Sequence, residues 1–399
     1  MTTELAPSRV RLRTSADLVD AVPYIVGFPP QNSVVMIALH GERKRLGIVS
    51  RVDLPDARHA VALAAGAADY LVRDGADRAV AIFYPPTDGP NHPSVRPIAE
   101  ALDTALAAVG VDVIEVLCVS EGRWWSLRCD GPDCCPAGGQ PIAHEGTSVI
   151  AATSALRGVA VYRSREALAA SIALSDGPVA KAMADVLPVA RAARKARVAA
   201  GDRFGACVEF FQSLARLVEA RVEGRGSALA VDDAAQLIVG LDDLPVRDAL
   251  LTWHDGDWGA ATLALFTELV TIAPPPYDIA PLTVLGWLAY LGGDGALANV
   301  IVDRALGPEP RYPDADQHSQ PGYNLMRILD DALSRAINPK TFRDSLGSAQ
   351  GWEDETIAAI PGRPAYRRRP NSPQTSAQNR ARNPGAAPRS MRSKQRRRR

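Results

Sequence analysis

Trp124-Trp125-Ser126-Leu127-Arg128-Cys129-Asp130-Gly131-Pro132-Asp133-Cys134-Cys135-Pro136 divides the chain. Before this stretch, short apolar runs alternate with helical periods. After it, helical periods continue alone until a basic tail begins. Three of the five cysteines and two of the six tryptophans fall inside it, so it is also where the chemistry-bearing residues concentrate.

Working upstream, Arg123 to Arg128 reads as the return strand of a hairpin, with Val111 to Val119 as its partner and Glu121-Gly122 as the turn. A helix near Ile98 to Val109 precedes it, and before that Ala79 to Tyr84 is a buried strand stopped by Pro85-Pro86. From about Asp56 to Arg73, Ala60, Leu63, Ala64, Ala67, Tyr70 and Leu71 recur at three and four, which predicts an amphipathic helix. Ser33 to Leu39 is a nearly continuous apolar run of strand length, joined by the polar His40 to Arg45 to a second β-rich run, Leu46 to Asp53. Thr14 or Ser15 can cap a short first helix through Val22, which Pro23 is expected to close. The order β-hairpin, α, β, α, β-hairpin predicts a mixed sheet with helices packed on it.

Downstream, helical periods start at Ser164 and follow at Pro178 to Ala200, Phe204 to Val222, Val231 to Val239, Pro245 to Leu251, Ala260 to Ile272, Pro281 to Leu291, Gly295 to Leu306 and Tyr323 to Ile337. The expected organisation is an α/β domain over 10–163, an all-helical domain over 164–350 and a disordered Arg-rich tail over 351–399. Gly256-Asp257-Trp258 and Gly293-Asp294-Gly295 each precede a helix and then a proline-rich turn, at an offset near the 34-residue period of helix-turn-helix solenoids. Two copies fall short of the three that a solenoid usually needs, so simple helix-hairpin packing is the other reading.

No apolar run approaches the roughly 18 residues a membrane span requires, and no membrane partner is expected. The first fifteen residues lack the apolar core of a secretory signal, which points to the cytoplasm, where thiols stay reduced. The net charge of zero hides a split. Residues 357–399 carry 13 of the 45 Lys and Arg and no acid, which leaves 32 basic against 45 acidic residues before them, a net of −13. Six of the last eight residues, Arg392 to Arg399, are positive and suited to lie along phosphates, releasing counterions. A solvated tail made arginine-rich by coding bias is the bland alternative, since arginine outnumbers lysine 40 to 5.

Cys129, Cys134, Cys135 and His144 are candidate ligands of a structural zinc. Adjacent side chains tend to diverge, which argues against Cys134 and Cys135 sharing an ion. Two further readings stay open: a reactive thiol beside Arg123 and Arg128, and small cysteines packed under Trp124 or Trp125. Of these, packing is the expectation. Cys118 and Cys207 read as core. His254, beside Asp255 and Asp257, is expected to be a surface histidine in a turn, and Asp53 a turn or cap residue. Walker loops, dinucleotide fingerprints, zinc-protease pairs and serine elbows are missing, which lowers the enzyme prior and leaves the catalytic residues unassigned.

Val22-Pro23-Tyr24-Ile25-Val26-Gly27-Phe28-Pro29-Pro30 with Ser33-Val34-Val35, then Trp125 to Cys129 with Cys134-Cys135-Pro136, then Pro275-Pro276-Tyr277 with Leu285 to Tyr290 and Gly293 to Ala296, occur in that order. In these motifs the chain, from about residue 10 to 345, resembles an actinobacterial domain-of-unknown-function family of soluble proteins. The resemblance implies an actinobacterial cytoplasmic protein and carries over no activity, substrate or catalytic residue. The expected function is that of an interaction or regulatory protein that binds a protein partner through its helical domain. Weak nucleic-acid or ribosome affinity would come from Arg392 to Arg399. The alternative is a small-molecule or thiol-dependent enzyme using the Cys129/Cys134/Cys135 loop.

Truncation after Gly362 tests the charge split. It is expected to leave the melting temperature unchanged and to abolish any salt-sensitive binding to mixed RNA. Salt-insensitive binding by the truncated chain would contradict it.

Overall fold

In the computed structural model, which describes residues 12–129, 131, 132, 134–142, 149–156, 161–307 and 323–346, the five expected strands join a sixth, two-residue strand in one mixed sheet. The strands are β1 (Ser33–His40), β2 (Arg45–Asp53), β3 (Arg78–Tyr84), β4 (Asp112–Ser120), β5 (Arg123–Ser126) and β6 (Gln140–Pro141), in the spatial order β2-β1-β3-β4-β5-β6. β3 and β4 are parallel, and every other neighbouring pair is antiparallel. Three helices accompany the sheet: α1 (Ser15–Val26), α2 (Ala60–Asp74) and α3 (Val95–Ala108).

Alternation along the central strands sends successive side chains to opposite faces, and both faces are apolar. Val34, Met36, Ala38, Ala79, Ala81, Phe83, Val116 and Cys118 pack with Leu71 of α2 and with Ile98, Leu102 and Leu106 of α3. Val35, Ile37, Leu39, Val80, Ile82, Leu117 and Val119 face the other way, into a core shared with α1 and the helices that follow. A sheet buried on both sides reads as continuous apolar runs rather than alternation, as Ser33 to Leu39 does.

The helical part consists of α4 (Val149–Leu156), α5 (Arg165–Ser171), α6 (Pro178–Ala199), α7 (Arg203–Val222), α8 (Val231–Gly240), α9 (Leu244–Ala249), α10 (Gly256–Ile272), α11 (Ile279–Gly292), α12 (Gly295–Leu306), α13 (Tyr323–Ser334) and α14 (Pro339–Leu346). Every residue of α11 from Ile279 to Leu291 is buried, with α10, α12, α13 and α14 around it. The indole N–H of Trp287 donates to Leu325 O at 3.1 Å, and the Tyr290 hydroxyl donates to Ile337 O at 2.5 Å. A helix enclosed on all sides belongs to a wrapped bundle, whereas a solenoid hairpin meets only its neighbours. The Gly-Asp echo is therefore one of helix starts. Asp294 caps α12 by accepting from Leu297 N at 2.9 Å, and Asp255 stands at the N-cap of α10.

Other departures have local causes. α1 continues through Pro23 to Val26 and ends at Gly27, because Val19, Val22 and Val26 are all buried on one side and offset the missing proline N–H. β6 has only two residues and offers no periodicity to read. Nor was α4 or α14 expected. Among the described residues no strand follows Pro141. The Arg-rich tail lies outside the described residues.

At the start of α11, Asp278 is fully buried, and Arg304 of α12 stands 3.9 Å from it. The same guanidinium donates to Ile172 O and, at 2.9 Å, to Val270 O, tying α5, α10 and α12 together. Removing one partner of a buried ion pair is costly, so Arg304→Ala is expected to lower unfolding free energy by roughly 3 kcal/mol in denaturant titration. A change below about 0.5 kcal/mol would show that the pair does not hold the bundle.

Candidate metal centre

The thiol loop leaves the sheet at the end of β5 and returns at β6, so both its ends are anchored on the edge of the sheet. Trp124 and Trp125 alternate across β5. Trp124 joins the core shared with the helices, and Trp125 packs on the α2/α3 side. From there the Trp125 indole N–H reaches over the loop and donates to Ala137 O at 3.1 Å. The ring lies so close to Gly139 that a Cβ there would sit 2.5 Å from it. Gly139 also has φ +74, a conformation in which only glycine is unstrained. Arg123 donates to the carbonyls of Gly138 and Gly139, and the Gln140 amide donates to Cys134 O at 3.0 Å. The loop is thus held from the strand side by one indole, one guanidinium and one amide.

Within it, Cys135 N donates to Gly131 O at 2.7 Å, a turn that folds the chain back on itself. This turn gathers the sulfurs. Cys129 Sγ and Cys134 Sγ are 3.0 Å apart, and all three Sγ atoms of Cys129, Cys134 and Cys135 lie within 4.8 Å of one another. The expected divergence of adjacent side chains therefore does not occur. Gly131 has no Cβ to obstruct the gathering, for one would fall 2.8 Å from Cys134 Sγ and 3.7 Å from Cys129 Sγ. Cys134 is exposed, and Cys129 and Cys135 are half-buried.

Burial first, and then the neighbouring Cys129 and Cys134 thiols, push the Cys135 thiol up to about 12. Neighbouring acidic groups disfavour the ionisation of Cys135, and a bound cation reverses that balance. Cys135 is therefore poorly set up as a nucleophile in the metal-free chain. The cluster is well set up to hold a soft metal. Among the described residues this is the one group of three or more prospective ligands, and it contains neither imidazole nor carboxylate. His144, the fourth ligand candidate from the sequence, lies outside the described residues.

The remaining candidates fall elsewhere. Cys118 is fully buried in β4, and burial pushes its thiol up to about 12. Cys207 is half-buried on α7, its thiol raised by burial and then by Asp243. His254 is not the surface histidine expected. Its side chain is 9% exposed, with Nδ1 bonded to Leu251 O at 2.9 Å and Nε2 3.7 Å from Asp255. Asp53 is exposed at the end of β2 and pairs with Arg51 at 2.7 Å. Trp125, expected to cover the cysteines, holds the loop through Ala137 O, while Gly131, Gly139 and Gln140 carry no comparable signal beyond the Gly-Gly pair before Gln140.

Compared with known proteins, the chain matches one family model over residues 16–340, that described as Domain of unknown function (DUF4192). No curated protein and no solved structure gives a significant match.

In the metal-free chain, Cys135 is expected to react slowly with iodoacetamide at pH 7 and faster as the pH rises toward its raised value, measured by timed quenching and mass spectrometry. Modification of Cys135 within seconds at pH 7 would contradict the electrostatics described above.

Proposed function

Because the chain belongs to DUF4192, a family whose description names no activity, we propose a role from its own site: Cys129, Cys134 and Cys135 hold one soft divalent cation, zinc in the first place. The observation that carries this reading is the convergence of three sulfurs on a loop fixed at both ends to the sheet. A tetrahedral zinc with sulfurs at about 2.3 Å spaces them about 3.8 Å apart. The cluster therefore needs shifts of about 1 Å or less to receive the ion. The ion would stabilise three thiolates and lock the loop against Trp125 and the sheet edge.

This use of the thiols is structural or regulatory. It fits the wider reading from the sequence: an actinobacterial, cytoplasmic interaction or regulatory protein with a helical partner-binding half and a basic tail, Arg392 to Arg399, for phosphates. In a reducing compartment the thiols stay available to the metal. The thiol-enzyme reading is less well supported, because the Cys135 proton is held firmly and no imidazole or carboxylate joins the described cluster.

Elemental analysis of the full chain, loaded with zinc under reducing conditions, is expected to find about one zinc per chain, lost in Cys129→Ser and in Cys134→Ser. Zinc at a hundredfold excess over its dissociation constant adds about 2.7 kcal/mol, or a rise of about 4 °C in melting temperature. Each thiol that binds as thiolate releases a proton, so affinity falls by up to about tenfold per pH unit and per proton as the pH is lowered. A chain that takes up no zinc and melts identically with and without a chelator would overturn the reading.

A further inference from the structure

We propose that Cys129 and Cys134 form a reversible dithiol–disulfide site oxidised by hydroperoxides. Closing the bond would also remove two of the three ligands from any cation held there. The second part rests on the metal reading above, and the first does not.

The geometry singles out this pair. Cys129 Sγ and Cys134 Sγ are 3.0 Å apart, so a disulfide of about 2.05 Å needs roughly 1 Å of closure. Gly131 lies alongside the pair, and having no Cβ it leaves the approach clear. Cys134 is exposed, so a small oxidant reaches it directly. Cys135 is the less suitable partner. Its backbone is pinned by the bond to Gly131 O, and the 3.0 Å approach is between the other two sulfurs. The anchors of the loop do not depend on the sulfurs. Trp125 holds Ala137 O and Gln140 holds Cys134 O, so the backbone that presents the pair is kept in both redox states.

The chemistry balances with a hydroperoxide as oxidant. The Cys134 thiolate attacks the terminal peroxide oxygen. The O–O bond breaks, a sulfenic acid forms, and the leaving alkoxide takes a proton to become an alcohol, or water from hydrogen peroxide. The Cys129 thiol then displaces that hydroxyl. The S–S bond forms, the S–O bond breaks and water leaves. Two electrons pass from the two sulfurs to the peroxide. A thiol reductant reverses the change by exchange through a mixed disulfide. Cys135 alone then remains to face a cation, which is too few ligands to retain zinc against a chelator.

The test treats the full chain, with and without zinc, with about one equivalent of hydrogen peroxide. Peptide mapping is expected to find a Cys129–Cys134 link and a mass loss of about 2 Da, reversed by dithiothreitol. Cys135→Ser is expected to form the same link, and Cys134→Ser to form none. Zinc-loaded chain is expected to release its metal to a chromophoric chelator in step with the link. A link to Cys135 or Cys207 instead, or oxidation to sulfinic acid with no link, would overturn the proposal. A Cys129–Cys134 link in a chain that never takes up zinc supports the dithiol site and sinks the metal reading, so the two failures are told apart.

Discussion

The sheet has two apolar faces, and everything else in the fold follows from covering both. Val34, Met36, Phe83 and Cys118 need α2 and α3 on one side, and Val35, Ile37, Ile82 and Leu117 need a cover on the other. Leaving one face bare would expose several large side chains at about 1.5–3 kcal/mol each. The second cover comes from α1 and from the helical part, whose core is continuous with that face. A polar clasp reinforces the join. The Asp74 side chain, at the end of α2, accepts from His40 Nε2 at 2.8 Å, from Ile48 N at 3.1 Å and from the Asn338 amide just before α14 at 3.0 Å. With strands paired on both sides of β1 and β3, the far edge at β5 and β6 is where the sheet has freedom to carry a specialised loop.

That placement explains why the thiol loop can be both irregular and well determined. A loop of Gly, Pro and Cys has little apolar surface of its own with which to offset the entropy of being ordered. Its order is borrowed from β5 and β6, through Trp125 above it and through Arg123 and Gln140 at its ends. The sulfurs can then be crowded, at a cost to the ionisation of Cys135, and a cation or a disulfide makes use of that crowding. Both outcomes exploit the same crowding, and they exclude each other at Cys129 and Cys134.

Much of the sheet was legible in the sequence because buried strands leave a strong mark. Ser33 to Leu39 and Ala79 to Tyr84 are almost wholly apolar, Pro85-Pro86 stops the second, and Glu121-Gly122 turns β4 back into β5. Pro23 misled because local backbone preference favours a stop there, while burial of Val22 and Val26 holds the helix together. The enclosed α11 was legible as a helix but not as a hub, since residues buried on all sides show no amphipathic period. At the site, the cysteines announced themselves but their convergence did not. Adjacent side chains diverge in extended or helical backbone, and only the turn closed by Cys135 N and Gly131 O brings Cys134 and Cys135 together. Spacing alone cannot reveal such a turn.

X-ray absorption at the zinc edge reads out whether the three sulfurs act as one site. Zinc-loaded full-length chain is predicted to show about three sulfur neighbours at about 2.3 Å. A shell made only of oxygen and nitrogen near 2.0 Å, with no sulfur, would contradict it.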